Sequence, residues 1–325
     1  MAPTLTRRRF IGISAAAAGL ALLPFGSAAA AAPAAVVWRG RAFGAPAELI
    51  LNHPDAALAE RLARRAASEI ARLERIFSLY QPDSALSRLN RQGALAAPPS
   101  ELVDLLHRSR AVWELSDGAF DPTVQPLWLL HARHFSVPDA DPAGPPRAAV
   151  DAALGRVGFD RLAFDDSRIA FPSKGMALTL NGIAQGFVTD RIVDMLRDAG
   201  MTSTLADIGE VRAIGRRGDA SPWRVGIGGT KYAVDLVDRA VATSSPEGFR
   251  FAGPGSPAHL LDPRSGGSAG RYRNVSVLAA DATTADALST ACCFLDPPAV
   301  AALAARLPAI EVHLQTHDGR RLHVG

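Results

Sequence analysis

The chain has 325 residues, of which 48% are hydrophobic and 21% are charged, a composition typical of a globular protein with a large apolar core. Its formal net charge is only +3. It has no basic run or aromatic-interleaved basic patch, which argues against nucleic-acid binding. The two cysteines, Cys292 and Cys293, are adjacent. Neighbouring cysteines have the wrong geometry for an ordinary bridge, so no disulfide framework is expected, and both are predicted to be small core residues.

The N-terminal segment has the pattern of an export signal. Residues 6–11 carry three consecutive arginines, residues 11–23 are apolar, and residues 27–32 have small side chains. A charged start, a short apolar middle and an alanine-rich end are typical of a twin-arginine signal rather than a membrane span. We therefore predict a signal peptide over residues 1–32, a mature domain over residues 33–325, and export to the periplasm. No cysteine lies near the predicted cleavage point, so no membrane anchor is expected.

Helical periodicity is strong in several parts of the mature chain. The clearest case spans residues 55–77, where Leu62, Ile70 and Leu73 fall on one face. A second pattern starts at Ser100, directly after two prolines. The helices predicted before the C-terminal part are 55–77, 100–115, 148–157 and 184–199.

Short strand-like segments alternate irregularly with these helices. The predicted strands are 161–164, 168–171, 177–180 and 204–207, with a strand-rich region over 223–243. The C-terminal part repeats a strand, helix, helix, strand order and closes with a hairpin around Asp318 and Gly319. Long helices among antiparallel-looking strands predict an α+β fold in one domain, not a doubly wound sheet.

Two polar turns follow predicted helices. The first, Phe77-Ser-Leu-Tyr80, presents a tyrosine at a helix exit, where it either contacts a ligand or only caps the core. The second, Gly118-Ala119-Phe120-Asp121, is expected to offer bare backbone amides and one carboxylate. Such a turn can hold the edge of a heterocycle through main-chain hydrogen bonds, although it is also compatible with a simple turn.

The segment Thr179-Leu-Asn-Gly182-Ile-Ala-Gln185-Gly lies between a predicted strand and a predicted helix. A glycine-bearing turn at a helix start exposes amides and the positive end of the helix dipole, which suits an anion. It lacks the glycine spacing of a dinucleotide-binding motif and the Gly-Lys-Ser/Thr of a P-loop. Close backbone packing at a helix start is the alternative.

Two further motifs lie near the C-terminus. The segment His259-Leu-Leu261-Asp262 is predicted to be an apolar strand ending in a turn. His259 is a general base, a residue that positions a ligand, or a structural histidine. Asp286 and Thr290 are four positions apart, so both oxygens lie on one face of a helix. A carboxylate and a hydroxyl together suit a hard cation such as Mg²⁺. The alternative is that Asp286 caps its helix and Thr290 is buried core.

Taken in order, these motifs resemble the ApbE family, the FAD:protein FMN transferases, over essentially the whole mature chain. The stretch Arg239 to Ser245 is similar to the family's Ala-Thr-Ser-Gly strand end, with Ser245 in place of the glycine. The sequence from Leu180 to Gly186 is most similar to that of NosX-type members, which are accessory to nitrous oxide reductase maturation. The resemblance implies a T-fold-related α+β domain with a mixed, largely antiparallel sheet and flanking helices.

The resemblance also implies roles for particular residues. FAD would be the substrate and Mg²⁺ the cofactor, and FMN would pass to a threonine or serine of an acceptor flavoprotein. That acceptor would carry a Ser/Thr-Gly-Ala-Ser/Thr motif and could be NosR-like. The implied roles are: catalysis, His259 and Asp286; FAD binding, Phe43, Tyr80, Ala119, Phe120, Asp121, Thr179, Gln185 and Leu261; metal binding, Gly182 through a main-chain oxygen, Asp286, Thr290 and Thr283.

The chain departs from the family at several of these positions. Thr179 stands where an aspartate is usual, Gln185 where lysine or glutamate is common, and Thr283 where the family has a further carboxylate. The changes at Thr179 and Thr283 leave open a flavin-binding accessory protein without activity. A periplasmic FAD pyrophosphatase is a second alternative, since its site would be nearly the same, with water in place of the acceptor hydroxyl.

Overall fold

A computed structural model describes residues 35–228, 230 and 232–325. The predicted signal peptide over residues 1–32 therefore lies outside the described residues. In chain order the helices are α1 (Ala56–Phe77), α2 (Ala85–Gln92), α3 (Ser100–Leu115), α4 (Gln125–His134), α5 (Arg147–Leu154), α6 (Ala184–Asp198), α7 (Ala282–Cys292) and α8 (Pro297–Ala304). No helix of the described part of the chain combines the length and apolar character that a membrane span needs.

The strands form one large sheet and two small ones. They are β1 (Val36–Ala42), β2 (Ala45–Leu51), β3 (Ala94–Ala96), β4 (Ala163–Phe164), β5 (Arg168–Ala170), β6 (Thr204–Asp207), β7 (Val211–Ile214), β8 (Trp223–Gly226), β9 (Ala233–Leu236), β10 (Ala240–Ser244), β11 (Asn274–Ala279), β12 (Glu311–Gln315) and β13 (Arg321–Val324). The large sheet has the order β1-β2-β6-β7-β10-β11-β12-β13, and its neighbouring strands pair antiparallel. This confirms the predicted α+β class with a largely antiparallel sheet.

The sheet is covered by helices that bury their apolar faces against it. Helix α1 buries Leu62, Ile70 and Leu73 as its periodicity predicts, and the Asp55 side chain caps it by accepting from Leu58 N at 3.0 Å. Helices α6 and α7 pack on each other, and α7 also packs on β10 and β11. The N-terminal half of α7 is therefore buried between α6 and the sheet.

Glycine makes the contact between α6 and α7 possible. A Cβ atom on Gly186 would lie 2.2 Å from the carbonyl oxygen of Ala282 and 2.9 Å from the Cβ of Asp286. Any side chain at Gly186 would therefore collide with the backbone of α7. This close approach allows the main-chain amide of Gly186 in α6 to reach the Asp286 carboxylate of α7.

Two predictions about local structure were wrong. Residues 177–180 form no strand, because the backbone of Leu178 pairs with the Asn90 side chain instead, at 2.7 and 2.8 Å. His259 does not lie on a strand either: the neighbouring Ala258 and Leu261 form only isolated bridges, with Arg250 and Ser268. Helix α7 has Asp281 as its N-cap, so the alternative in which Asp286 caps this helix is excluded.

Cys292 and Cys293 are buried and free, at 0% and 1% exposure. This confirms their prediction as core residues. Burial raises the pKa of the Cys292 thiol to about 12, so it stays protonated and unreactive at neutral pH.

Candidate active site

A cavity of about 700 Å³ opens where α1, α4, α6 and α7 converge on the end of β10. This volume is typical of a small-molecule or cofactor site. All the residues predicted from the sequence line it except Thr283: Phe43, Tyr80, Ala119, Phe120, Asp121, Thr179, Gly182, Gln185, His259, Leu261, Asp286 and Thr290. The fold thus brings side chains from distant segments to one place.

The floor of the cavity is built on α7. The Oδ2 atom of Asp286, a side chain only 4% exposed, accepts the amide of Gly186 at 3.0 Å. One turn later, Thr290 packs against the backbone of Gly182, where a Cβ atom would lie 2.9 Å from its Oγ1. The Thr290 hydroxyl also contacts the Ser244 hydroxyl at 3.3 Å. A carboxylate, hydroxyls and a main-chain segment therefore meet on one face of the helix.

Asp190 on α6 holds the first turn of α7 in place. Its carboxylate accepts the amides of Ala282 and Thr283, both at 2.8 Å, and also the Thr283 hydroxyl. Arg212 donates to it at 2.8 Å. The Thr283 side chain thus binds Asp190 and does not line the cavity, so the structure does not bring it to the other predicted metal ligands.

The carboxylates near the floor raise one another's pKa. Burial raises the pKa of Asp286 to about 7, with a further contribution from Asp190 and an opposing one from the Gly186 amide. Burial also raises the pKa of Glu210 well above its usual range, and Asp286 and Asp207 add to it. Buried carboxylates close together disfavour simultaneous ionisation, and a bound cation relieves that repulsion. With oxygen donors only, the floor fits a hard cation such as Mg²⁺.

Gln185 presents a polar group that has no protein partner. Its Nε2 atom is buried and makes no hydrogen bond to any described residue. The side chain packs over Gly209, where a Cβ atom would lie 2.1 Å from Nε2. Gly209 has a φ of +95°, so this turn requires glycine for both its conformation and its space. An unpartnered amide N–H in a cavity wall is suited to bind a ligand oxygen.

The backbone amides of two predicted binding turns are already engaged. In the first turn, Ala119 N donates to the Ser116 carbonyl oxygen and Phe120 N to the Ser116 hydroxyl, both at 3.1 Å. At the start of α6, Ile183 N and Ala184 N both donate to the Leu180 carbonyl oxygen. The expectation of bare amides was therefore wrong for these four amides, which donate to acceptors within their own turns.

Asp121 also has a local role. Its Oδ1 accepts the amide and the hydroxyl of Thr123, at 2.7 and 2.5 Å, and its Oδ2 accepts the amide of Phe159 at 3.1 Å. Burial raises its pKa, and these hydrogen bonds oppose that effect. The carboxylate therefore shapes the wall formed by residues 119–124.

Aromatic side chains lie at the mouth of the cavity. Phe43 occupies the β1–β2 turn with a φ of +51°, an unusual conformation for a bulky residue, and its amide donates to the Glu74 carboxylate. Tyr80 is 40% exposed and its hydroxyl interacts with the Asn181 side chain. Both rings face a space in which a flat heterocycle can stack.

His259 is oriented by the main chain. Its Nδ1 lies 3.0 Å from the carbonyl oxygen of Phe249, and since a carbonyl only accepts, Nδ1 carries the proton. The Nε2 atom is then an acceptor that can take a proton. Burial lowers the pKa of His259 to about 4, with the Phe249 contact opposing the shift, so the imidazole is neutral at physiological pH. This is the form that a general base requires.

Sequence reasoning missed several residues of the cavity. Glu210 and Ser244 reach the floor, Asn181 contacts Tyr80, and Trp128 on α4 forms part of the wall. Glu210 stands in the polar turn directly after β6, a position where functional carboxylates are frequent, and this signal could have identified it. Trp128 had no such signal, because α4 was not predicted.

The sequence is similar to known proteins over most of its length. The model of the ApbE family matches residues 43–314. An FAD:protein FMN transferase of Treponema pallidum is 32% identical over 290 residues, covering 77% of this chain and 78% of that protein. An FAD:protein FMN transferase of Escherichia coli is 26% identical over 282 residues, covering 82% of this chain and 79% of that protein.

Solved structures are similar over most of the chain. The apo form of Pseudomonas stutzeri flavinyl transferase ApbE superposes with a TM-score of 0.77 at 27% identity, covering 90% of this chain and 95% of that one. An ApbE protein of Thermotoga maritima gives a TM-score of 0.78 at 26% identity, covering 90% and 97%.

Proposed function

The chain belongs to the ApbE family and is an FAD:protein FMN transferase, and on this premise we propose how its cavity binds FAD and transfers FMN. The observation that carries the proposal is the convergence of Asp286, Thr290 and Gly182 in the same cavity as His259. Oxygen donors for a cation and a neutral imidazole in one site are what a phosphoryl transfer requires.

We propose that FAD lies across the cavity with its ring system at the aromatic mouth. Phe43 and Tyr80 would contact the flat heterocycle, with the wall formed by residues 119–121 beside it. Thr179, Gln185 and Leu261 would complete the contacts, and the unpartnered Nε2 of Gln185 would donate to an oxygen of the ligand.

We propose that the floor holds Mg²⁺ through the Asp286 carboxylate, the Thr290 hydroxyl and a main-chain oxygen at Gly182. When bound, Mg²⁺ would neutralise negative charge on the pyrophosphate of FAD. Asp190 would keep these ligands in place by fixing the start of α7, and the positive end of α6 would add to the attraction for the anion.

His259 would act as the general base. Its Nε2 would take the proton of an acceptor serine or threonine hydroxyl, while Nδ1 continues to donate to the Phe249 carbonyl oxygen. The hydroxyl oxygen would then form a bond to the phosphorus of the FMN moiety. The bond from that phosphorus to the bridging oxygen would break, and AMP would leave with that oxygen.

The partner and the location are parts of the same proposal. The acceptor would be a flavoprotein with a Ser/Thr-Gly-Ala-Ser/Thr motif, and a NosR-like protein in nitrous oxide reductase maturation is one member of that class. The twin-arginine pattern of residues 6–11 supports export, so the acceptor would face the periplasm. The proposed reaction involves neither nucleic acid nor a membrane anchor.

The test is to incubate the chain with FAD, Mg²⁺ and a flavin-accepting domain that carries the motif. We expect a fluorescent covalent adduct on the acceptor and an equal amount of AMP. AMP release without any acceptor would instead indicate the pyrophosphatase reaction. Bound FAD with neither product would overturn the proposed activity.

A further inference from the structure

The hairpin of β12 and β13 carries a cluster of side chains that the flavin site does not use. His313 and His323 are direct cross-strand partners. Glu311 precedes His313 by two positions, so both project from the same face of β12. This hairpin is the edge of the large sheet. Three residues of types that bind metals therefore share one face of one hairpin.

The donor atoms of this cluster are close together. One donor atom each from Glu311, His313 and His323 lie within 4.8 Å of one another. Glu311 Oε2 and His323 Nε2 are 3.6 Å apart, and the two imidazole rings stack with centroids at 4.6 Å. Donors on a tetrahedral metal with bonds of about 2.0–2.1 Å are roughly 3.3 Å apart, so small side-chain rotations close the site.

His313 has one ring nitrogen without a protein partner. Arg321 Nη2 lies 3.0 Å from His313 Nδ1, and because a guanidinium only donates, Nδ1 is the acceptor and the neutral ring carries its proton on Nε2. Nε2 is buried and has no hydrogen-bond partner among the described residues. A buried N–H without an acceptor is unfavourable, and a metal ion that replaces this proton would satisfy the nitrogen.

Glu311 is also held in place by an arginine. Arg239 Nη1 bonds Glu311 Oε1, and Arg239 Nη2 donates to the Ala309 carbonyl oxygen at 2.9 Å. The carboxylate is thereby fixed through one oxygen, while the other faces His323. Outer contacts of this kind orient the ligands of protein metal sites.

We propose that Glu311, His313 and His323 form a second metal site, which binds Zn²⁺ with an open fourth position for water. Two imidazoles and a carboxylate suit Zn²⁺, whereas Mg²⁺ prefers oxygen ligands only. The ion joins β12 to β13 and so fastens the edge strand to the sheet. The arginines nearby reduce the attraction for a cation, and they set the affinity below that of a closed structural site.

This site is separate from the flavin cavity. Along β11, Val275 pairs with Ser244 at the cavity, whereas Leu278 pairs with Glu311. Three residues along a strand correspond to about 10 Å, and β12 lies on the far side of β11 from β10. Zinc binding therefore does not depend on the proposed function and can be tested without flavin.

The experiment uses untagged protein. Zn²⁺ is titrated by calorimetry, and thermal unfolding is followed with Zn²⁺ or Mg²⁺ in excess. We expect binding of one Zn²⁺ per chain at the hairpin and a rise in Tm of about 5 °C at a hundredfold excess over Kd. The same concentration of Mg²⁺ should not bind at the hairpin, so it should not produce the part of the Tm rise that the hairpin residues cause.

Matched variants assign the binding. His313→Ala and His323→Ala should each lose the hairpin Zn²⁺ and its Tm rise. His317→Ala removes a histidine from the turn of the same hairpin and should retain both. Asp286→Ala removes the predicted ligand of the flavin site and should also retain them. Circular dichroism confirms that each variant is folded. If zinc binding is absent from the wild type, or unchanged in His313→Ala and His323→Ala, the proposal is wrong.

Discussion

The cavity floor and the edge hairpin both gather potential metal ligands, but they do so in different ways. The floor combines Asp286 and Thr290 of α7 with the backbone at Gly182, and its position depends on the contact between two helices. The hairpin combines residues two apart on β12 with the residue opposite on β13. The floor is thus a product of tertiary packing, and the hairpin cluster is a product of strand register.

The floor and the hairpin also differ in the ligand atoms that they offer. The floor offers oxygen donors in a buried setting that raises the pKa of its carboxylates. The hairpin offers imidazoles at a partly exposed edge. A hard cation such as Mg²⁺ fits the floor, and a borderline metal such as Zn²⁺ fits the hairpin. Perturbing one region should therefore leave the metal binding of the other intact.

The largest effect is expected from Asp286→Asn. Loss of the charged ligand should reduce FMN transfer by roughly a thousandfold or more, because a metal supplies several kcal/mol of transition-state stabilisation. Adduct formation on the acceptor measures the rate. Asp281→Asn is the matched control on the same helix, since asparagine also serves as an N-cap, and it should retain transfer. Near-normal transfer in Asp286→Asn would contradict the role of the floor.

His259→Asn should reduce transfer by roughly a hundredfold, in line with the loss of a general base. The asparagine amide can still donate to the Phe249 carbonyl oxygen but cannot take a proton. FAD binding, followed by flavin fluorescence, should be retained. Should this variant transfer FMN at the wild-type rate, another group must take the proton.

Asp190→Asn should reduce transfer about tenfold, as expected for a residue that positions ligands without touching them. It leaves Arg212 and the first turn of α7 with a weaker partner, so the free energy of unfolding should also fall. Asp194→Asn is the matched control: Asp194 lies one turn further along α6 and contacts the same arginine at 3.2 Å, but its side chain is 54% exposed. Equal losses in both variants would argue against positioning by Asp190.

The last prediction concerns stability as a function of pH and leaves catalysis aside. Burial raises the pKa of Asp207 to about 6, with Glu48 adding and the Gly209 amide opposing. Between its unfolded value near 3.8 and about 6, the folded state binds more protons, so stability falls as pH rises through this range. The loss is at most about 3 kcal/mol. Urea unfolding from pH 4 to 7 should show it, and Asp207→Asn should reduce the fall in stability, leaving the part that comes from the raised pKa values of Asp286 and Glu210. A fall of the same size in both proteins would contradict this assignment.

Much of the secondary structure could be predicted from the sequence where local signals were strong. The bounds of α3 matched because prolines precede Ser100, and α1 matched because its apolar face is regular. Helix α4 was missed, since its short sequence has weak amphipathic character and packs into an aromatic cluster of its own. The segment 177–180 resembled a strand, but its backbone partner is the side chain of Asn90, which no local pattern reveals.

The sequence by itself determined which residue types are available and their order, and this was enough to identify the family and twelve of the residues that line the cavity. It also determined the alternation that puts Glu311 and His313 on one face. Only the tertiary structure decided that Thr283 binds Asp190, that Glu210 reaches Asp286, and that the expected bare amides are already engaged. The physical reason is that burial and partner choice depend on contacts between residues far apart in the chain, and local periodicity carries no information about them.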